Sequence, residues 1–143
     1  MKNILFVCTG NTCRSPMAEA IFNKLARQEN LKVRAKSVGT YVVDDKVEDK
    51  ARVALRQMGI VIRHKPTMFS KDMVNKFDII LTMTIAQKHY LKRSVWADNI
   101  YSIAEFINGI DISDPYGLSQ KEYNETAKLL EFSIKNIIKK LEK

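Results

Sequence analysis

Cysteine, histidine, proline and glycine are all scarce in this chain of 143 residues: it has two, two, three and five of them respectively. Two thiols and two imidazoles at these spacings cannot build a disulfide framework or a usual zinc site, so no metal and no cofactor is expected. Each cysteine must then be judged on its reactivity. The few glycines and prolines form no low-complexity tract and no linker, and no internal repeat is visible. No run approaches the eighteen or so apolar residues of a membrane span. The opening MKNILFV carries one lysine and five apolar residues before Cys8, too short for a signal peptide, so a cytoplasmic protein without a membrane partner is expected. With 45% hydrophobic and 28% charged residues the chain can bury a core, which rules out intrinsic disorder and suits a single domain over residues 1–143.

The net charge of +8 is unevenly spread. Residues 1–40 carry 7 basic and 2 acidic groups, residues 41–93 carry 11 and 6, and residues 94–143 carry 6 and 8. Between residues 98 and 125 six acids face one lysine, so a surface of two signs is expected. Nucleic-acid binding would want a clustered basic stripe with stacking aromatics or a known module, and neither occurs, so no nucleic-acid partner is expected.

Asn3 to Val7 is a nearly continuous apolar run, the mark of a strand buried on both faces. CTGNTCRSP breaks it. Ser15 then offers an N-cap and Pro16 a first helical residue, after which Met17, Ile21, Phe22 and Leu25 recur at helical spacing. Lys32 to Val38 alternates as a second strand, with a loop from Gly39. Val47 to Met58 reads as a helix stopped by Gly59. Phe77 to Met83 reads as a third strand, Thr84 as the cap of a helix reaching about Leu91, and Asn99 to Ile103 as a fourth strand. Ser119 and Glu122 suggest a capping box for a last helix, whose core stripe runs through Tyr123, Ala127, Leu130, Ile134, Ile137, Ile138 and Leu141. Trp96 is expected to pack. This alternation predicts a three-layer α/β fold, a four-stranded parallel sheet flanked by helices, with its site in the loop after the first strand.

That loop, Cys8-Thr9-Gly10-Asn11-Thr12-Cys13-Arg14-Ser15, lies between a strand and a helix N-terminus, where backbone N–H groups can cradle a phosphate. Gly10 is expected to supply the unusual backbone angles. Arg14 brings a planar fork to the same anion. Cys8, facing these donors, is expected to ionise far more readily than a free thiol and to attack phosphorus, with Ser15 donating to the sulfur.

On these residues the chain resembles the low-molecular-weight protein tyrosine phosphatase family, whose loop reads C-x-G-N-x-C-R-S-P. The resemblance runs the length of the chain: Ser37-Val38-Gly39-Thr40 is similar to the family's S-x-G segment, Gly59-Ile60 with His64 to its G-I-x-x-x-H stretch, FDIILTM to its third strand, and Asp114-Pro115-Tyr116 to its D-P-[FY] loop. It implies a metal-free phosphocysteine mechanism with Cys8 as nucleophile, Arg14 as phosphate ligand and Asp114 as general acid. Asp111 and Glu105, if close, would help Asp114 hold its proton. Thr9, Gly10, Asn11, Thr12, Cys13 and Ser15 would contact substrate, Tyr41 and Tyr116 would wall the pocket, and Ser37 and His64 would brace the loop, His64 through Asn11.

Thr12 and Thr84 stand where phosphotyrosine-directed members usually have an aliphatic residue and an aspartate, and the loop C-T-G-N-T-C-R-S resembles the protein-arginine phosphatase branch. The expectation is therefore a phosphoarginine phosphatase that acts as a monomer on phosphorylated proteins, with a tyrosine phosphatase as the alternative. A thioredoxin-coupled arsenate reductase shares the loop but needs downstream cysteines, and the 130 residues after Cys13 contain none. A phosphate-binding or redox module without turnover is the alternative from another class; Arg14 and Asp114 argue against it. Cys13 is expected either to pack or to form a reversible disulfide with Cys8 that shelters the nucleophile.

Overall fold

Five consecutive buried side chains, Ile4 to Cys8, make β1 (Asn3–Cys8) a strand covered on both faces, as an interior strand of a parallel sheet must be. The computed structural model describes residues 2–142. In it β1 lies between β2 (Arg34–Gly39) and β3 (Ile79–Thr82), with β4 (Ile100–Ser102) beyond β3, and all neighbours pair in parallel. The alternation along β1 divides the core. Ile4, Phe6 and Cys8 pack towards α1 (Arg14–Gln28), α2 (Asp49–Gln57) and α5 (Gln120–Leu141), while Leu5 and Val7 meet Leu91 of α3 (Ile85–Ser94) and Met73 and Val74 of a 3-10 turn over Lys71–Asn75. The result is the expected three-layer α/β sandwich. Fully buried side chains such as Phe6, Phe22, Leu55 and Ile134 contribute about 1.5–3 kcal/mol each relative to exposure. No helix among the described residues is long and apolar enough to cross a membrane.

The core stripe of α5 is buried from Tyr123 to Ile138, and Leu141 lies partly covered at its edge. Gly59, with a φ of 78°, follows the C-cap of α2. Thr84 caps α3 by accepting from the Gln87 N–H at 3.2 Å. Other details differ from the sequence reading. Cys13, not Ser15, holds the N-cap position of α1, because the Ser15 hydroxyl is turned towards Cys8; Pro16 is then third in the helix, still within the turn whose N–H groups have no partner. Ser119 stands at the N-cap of α5 but its side chain makes no capping bond. β4 is shorter than expected because Ser102 and Glu105 form a reciprocal capping box that opens α4 (Ile103–Ile107). Trp96 does not pack: it is 97% exposed in the turn before β4.

β2 is an edge strand, and side chains close that edge. Asn23 of α1 bonds both the N–H and the C=O of Ala35, at 2.8 and 3.0 Å. Further along, Gly39 donates to the Thr67 carbonyl and accepts from the Phe69 N–H, each at 2.8 Å. A methyl group at Gly39 would lie 2.5 Å from the Thr9 carbonyl oxygen, so only glycine lets the loop after β1 pass this close. Gly39→Ala is therefore expected to lower stability by about 1–3 kcal/mol. Thermal denaturation checks this, and an unchanged Tm contradicts the close approach.

Candidate active site

Cys8 is the last residue of β1, so its sulfur stands at the carboxyl edge of the sheet, where the chain leaves towards α1. The turn back needs one residue in the left-handed region. That residue is Asn11, with a φ of 57°; Gly10 has no positive φ, which corrects the expectation that Gly10 supplies the unusual angle. Asparagine tolerates this conformation because its short side chain finds local partners.

Here it finds four. Asn11 is fully buried, and its Nδ2 donates to Ser15 Oγ at 2.8 Å and to Ser37 Oγ at 3.1 Å. Its Oδ1 accepts from the Thr67 N–H at 2.9 Å and from His64 Nε2 at 2.7 Å. Both amide groups are thus saturated. Ser37, having accepted from Asn11, donates to Glu19 Oε1 at 2.9 Å. Burial raises the Glu19 carboxyl and lowers the His64 imidazole, so desolvation outweighs their attraction across 3.7 Å and favours a neutral His64.

This network orients protons towards the sulfur. The Asn11 N–H points at Cys8 Sγ from 3.2 Å, and Ser15 Oγ lies 2.8 Å from the same atom. Ser15 Oγ accepts from Asn11, and its one hydrogen can go to Cys8 Sγ at 2.8 Å or to the longer contact with the Val38 carbonyl at 3.4 Å. Two donors converging on one sulfur suit a thiolate.

The anion fork and the carboxylic acid lie across the cleft. Arg14 is buried; Nη1 donates to the Ile112 carbonyl at 2.9 Å and Nη2 lies 3.5 Å from Asp114 Oδ2. Asp114 Oδ1 accepts from the Tyr116 N–H at 3.1 Å, which shapes the Asp-Pro-Tyr turn. Asp111 and Glu105 have partners other than Asp114: Asp111 accepts from the Ile85 N–H at 3.2 Å and Glu105 pairs with Lys88 at 2.6 Å. Tyr41 and Tyr116, 68% and 60% exposed, line one cleft of about 280 Å³ together with Cys8, Thr9, Gly10, Thr12, Cys13, Arg14, Val43, Asp44 and Asp114. Ser15, Ser37, Asn11 and His64 stand behind it.

Sequence reasoning missed several supports. Gln87 of α3 donates to Thr9 Oγ1 at 3.1 Å and accepts from the N–H groups of Met83 and Thr84. Tyr123, expected only as core, brings its hydroxyl to 3.4 Å from Cys13 Sγ. Burial pushes the Cys13 thiol up to about 11, which works against its expected part as a resolving partner for Cys8, since that step needs the thiolate. Glu19, four residues after Ser15 on α1, was legible as a helical neighbour of the loop.

A strand-to-helix loop that aims donors at a cysteine sulfur, with an arginine and a carboxylic acid opposite, defines a cysteine-centred phosphate site. The chain belongs to the low molecular weight phosphotyrosine protein phosphatase family, which matches residues 3–143. It is 34% identical over 146 residues to the protein-arginine-phosphatase of Bacillus subtilis, covering 99% of this chain and 97% of that one. It is 36% identical over 140 residues to the low molecular weight protein-tyrosine-phosphatase PtpB of Staphylococcus haemolyticus, covering 92% and 94%. Among solved structures, a cysteine-to-serine mutant of the YwlE arginine phosphatase with a phosphorylated active-site serine superposes with a TM-score of 0.95 at 32% identity, covering 99% of this chain and 96% of that one.

Removing the Asn11 side chain takes a partner from four polar groups, of which Ser15 and Ser37 are buried, and leaves a left-handed backbone without its local bonds. Asn11→Ala is expected to cost at least about 2 kcal/mol of stability and to lower phosphatase kcat about 100-fold through misplacement of the loop. Chemical denaturation and steady-state kinetics check both, and parent-like kcat in a folded variant contradicts the bracing role.

Proposed function

We propose that this chain is a protein-arginine phosphatase that hydrolyses phosphoarginine in proteins through a phosphocysteine intermediate. The observation that carries the reading is the pair of donors, Asn11 N–H and Ser15 Oγ, on Cys8 Sγ, opposite Arg14 and Asp114. The Cys8 thiolate attacks phosphorus, an S–P bond forms, and the P–N bond breaks with its electron pair going to nitrogen. Asp114 gives that nitrogen a proton, so arginine leaves as a guanidinium. The Asp114 carboxylate then takes a proton from water, whose oxygen attacks the thiophosphate; inorganic phosphate leaves and the Cys8 thiolate returns. Loop N–H groups and the Arg14 fork hold the three phosphoryl oxygens through both steps.

Asp114 Oδ2 lies 3.5 Å from Arg14 Nη2, and a bound phosphoryl group would compete for that cation. The guanidine leaving group has a conjugate acid above 12, against about 10 for a tyrosine phenol, so its departure relies on Asp114 more heavily. Relatives named for either substrate are similar to this chain, so the choice between them rests on the pocket. Thr12 supports phosphoarginine. It is buried beside Cys13 and lines the cleft, where its hydroxyl can bond a guanidinium or water, while an aliphatic side chain would offer an apolar wall to a phenyl ring.

Turnover of matched phosphoarginine and phosphotyrosine peptides tests the reading. Parent enzyme is expected to favour phosphoarginine, Cys8→Ser to abolish turnover of both, and Thr12→Ile to shift the kcat/KM ratio towards phosphotyrosine by about 10-fold. A ratio unchanged by Thr12→Ile removes the specificity argument, and an active Cys8→Ser removes the nucleophile.

A further inference from the structure

We propose that the Asp44 carboxylate binds the substrate guanidinium at the rim of the cleft and so helps to select phosphoarginine; this inference rests on the function proposed above. Asp44 belongs to the loop between β2 and α2 and lines the same cleft as Cys8, Tyr41, Asp114 and Tyr116. The cleft is electrically polar. Arg14 is the one cationic side chain among its lining residues and lies beside the sulfur-bearing loop, whereas Asp44 and Asp114 bring carboxylates from two flanking loops.

Phosphoarginine has the complementary polarity, with a phosphoryl anion for the loop and a planar cation carrying N–H donors next to it. A phosphotyrosine ring has no donor for a carboxylate. The two tyrosines cannot separate these substrates, because an aromatic face stacks on a guanidinium as well as on a phenyl ring. Asp114 cannot serve as a constant anchor, because it must surrender its proton as the P–N bond breaks.

Asp44 remains. It is exposed, and among the described residues it pairs with no lysine, arginine or histidine, whereas Glu105 is paired with Lys88 and Asp114 with Arg14. Its contact with the guanidinium is present before the transition state as well as in it, so it governs KM rather than kcat.

The test measures kcat and KM for the parent, Asp44→Asn and Asp44→Lys on phosphoarginine and phosphotyrosine peptides of one sequence. Asp44→Asn is expected to raise KM for phosphoarginine about 5-fold, the scale of a well-placed exposed ion pair, with kcat within about twofold. No parallel loss is expected on phosphotyrosine, and Asp44→Lys is expected to raise the phosphoarginine KM further. Equal changes on both substrates, or no change in their ratio, overturn the inference while leaving the phosphatase reading intact. A parent enzyme that fails on phosphoarginine overturns both.

Discussion

One buried amide holds the site together. Asn11 sits in the left-handed region with each of its side-chain hydrogen-bonding positions occupied, and its four partners come from three parts of the chain: Ser15 on α1, Ser37 on β2, and His64 and Thr67 on the segment that follows α2. A loop that must present its N–H groups inwards cannot also bond them to its own carbonyls, so it needs outside support. Asn11 supplies that support and also holds the Ser15 oxygen in place beside Cys8. The approach of the Asn11 N–H and of Ser15 Oγ to Cys8 follows from it.

Around this hub the sheet supplies position. β1 ends at Cys8 between two parallel neighbours, and Gly39, the end of β2, lets the chain after Cys8 run close beside it. The Asp114 loop is tied to the same edge by the Ile112 N–H on the Met83 carbonyl at 2.9 Å and by Arg14 on the Ile112 carbonyl. Cys8, Arg14 and Asp114, the proposed nucleophile, anion ligand and acid, are therefore referenced to adjacent strands, which limits the misplacement that costs rate. The rim residues Tyr41 and Tyr116 are exposed, as suits a surface that must admit a protein segment.

Much of the scaffold was legible because its signals are local. Buried runs at Asn3–Val7 and Phe77–Met83 and the long stripe of α5 each mark their element within one segment, and the fold class follows from their alternation. The 3-10 turn at Lys71–Asn75 and α4 were not legible, being too short to show a period, and α4 shares its apolar residues with the end of β4. At the site, Cys8, Arg14 and Ser15 could be read from one contiguous stretch. Gln87 and Tyr123 reach the loop only through tertiary packing, and nothing in their own surroundings marks them, whereas Glu19 lies one helical turn beyond Ser15. The exchange of roles between Gly10 and Asn11 has a physical reason: composition favours glycine for a strained angle, but an asparagine with four partners meets the same need and braces the loop as well.

The proposed reaction depends above all on a bond between the sulfur of Cys8 and phosphorus. Rapid quenching of the enzyme during turnover of a phosphoarginine peptide, followed by mass-spectrometric mapping of the phosphorylated position, measures this directly. A transient phosphoryl group on Cys8 that forms and decays at rates compatible with kcat is expected. Turnover that proceeds with phosphorus on another residue, or on none, would contradict it.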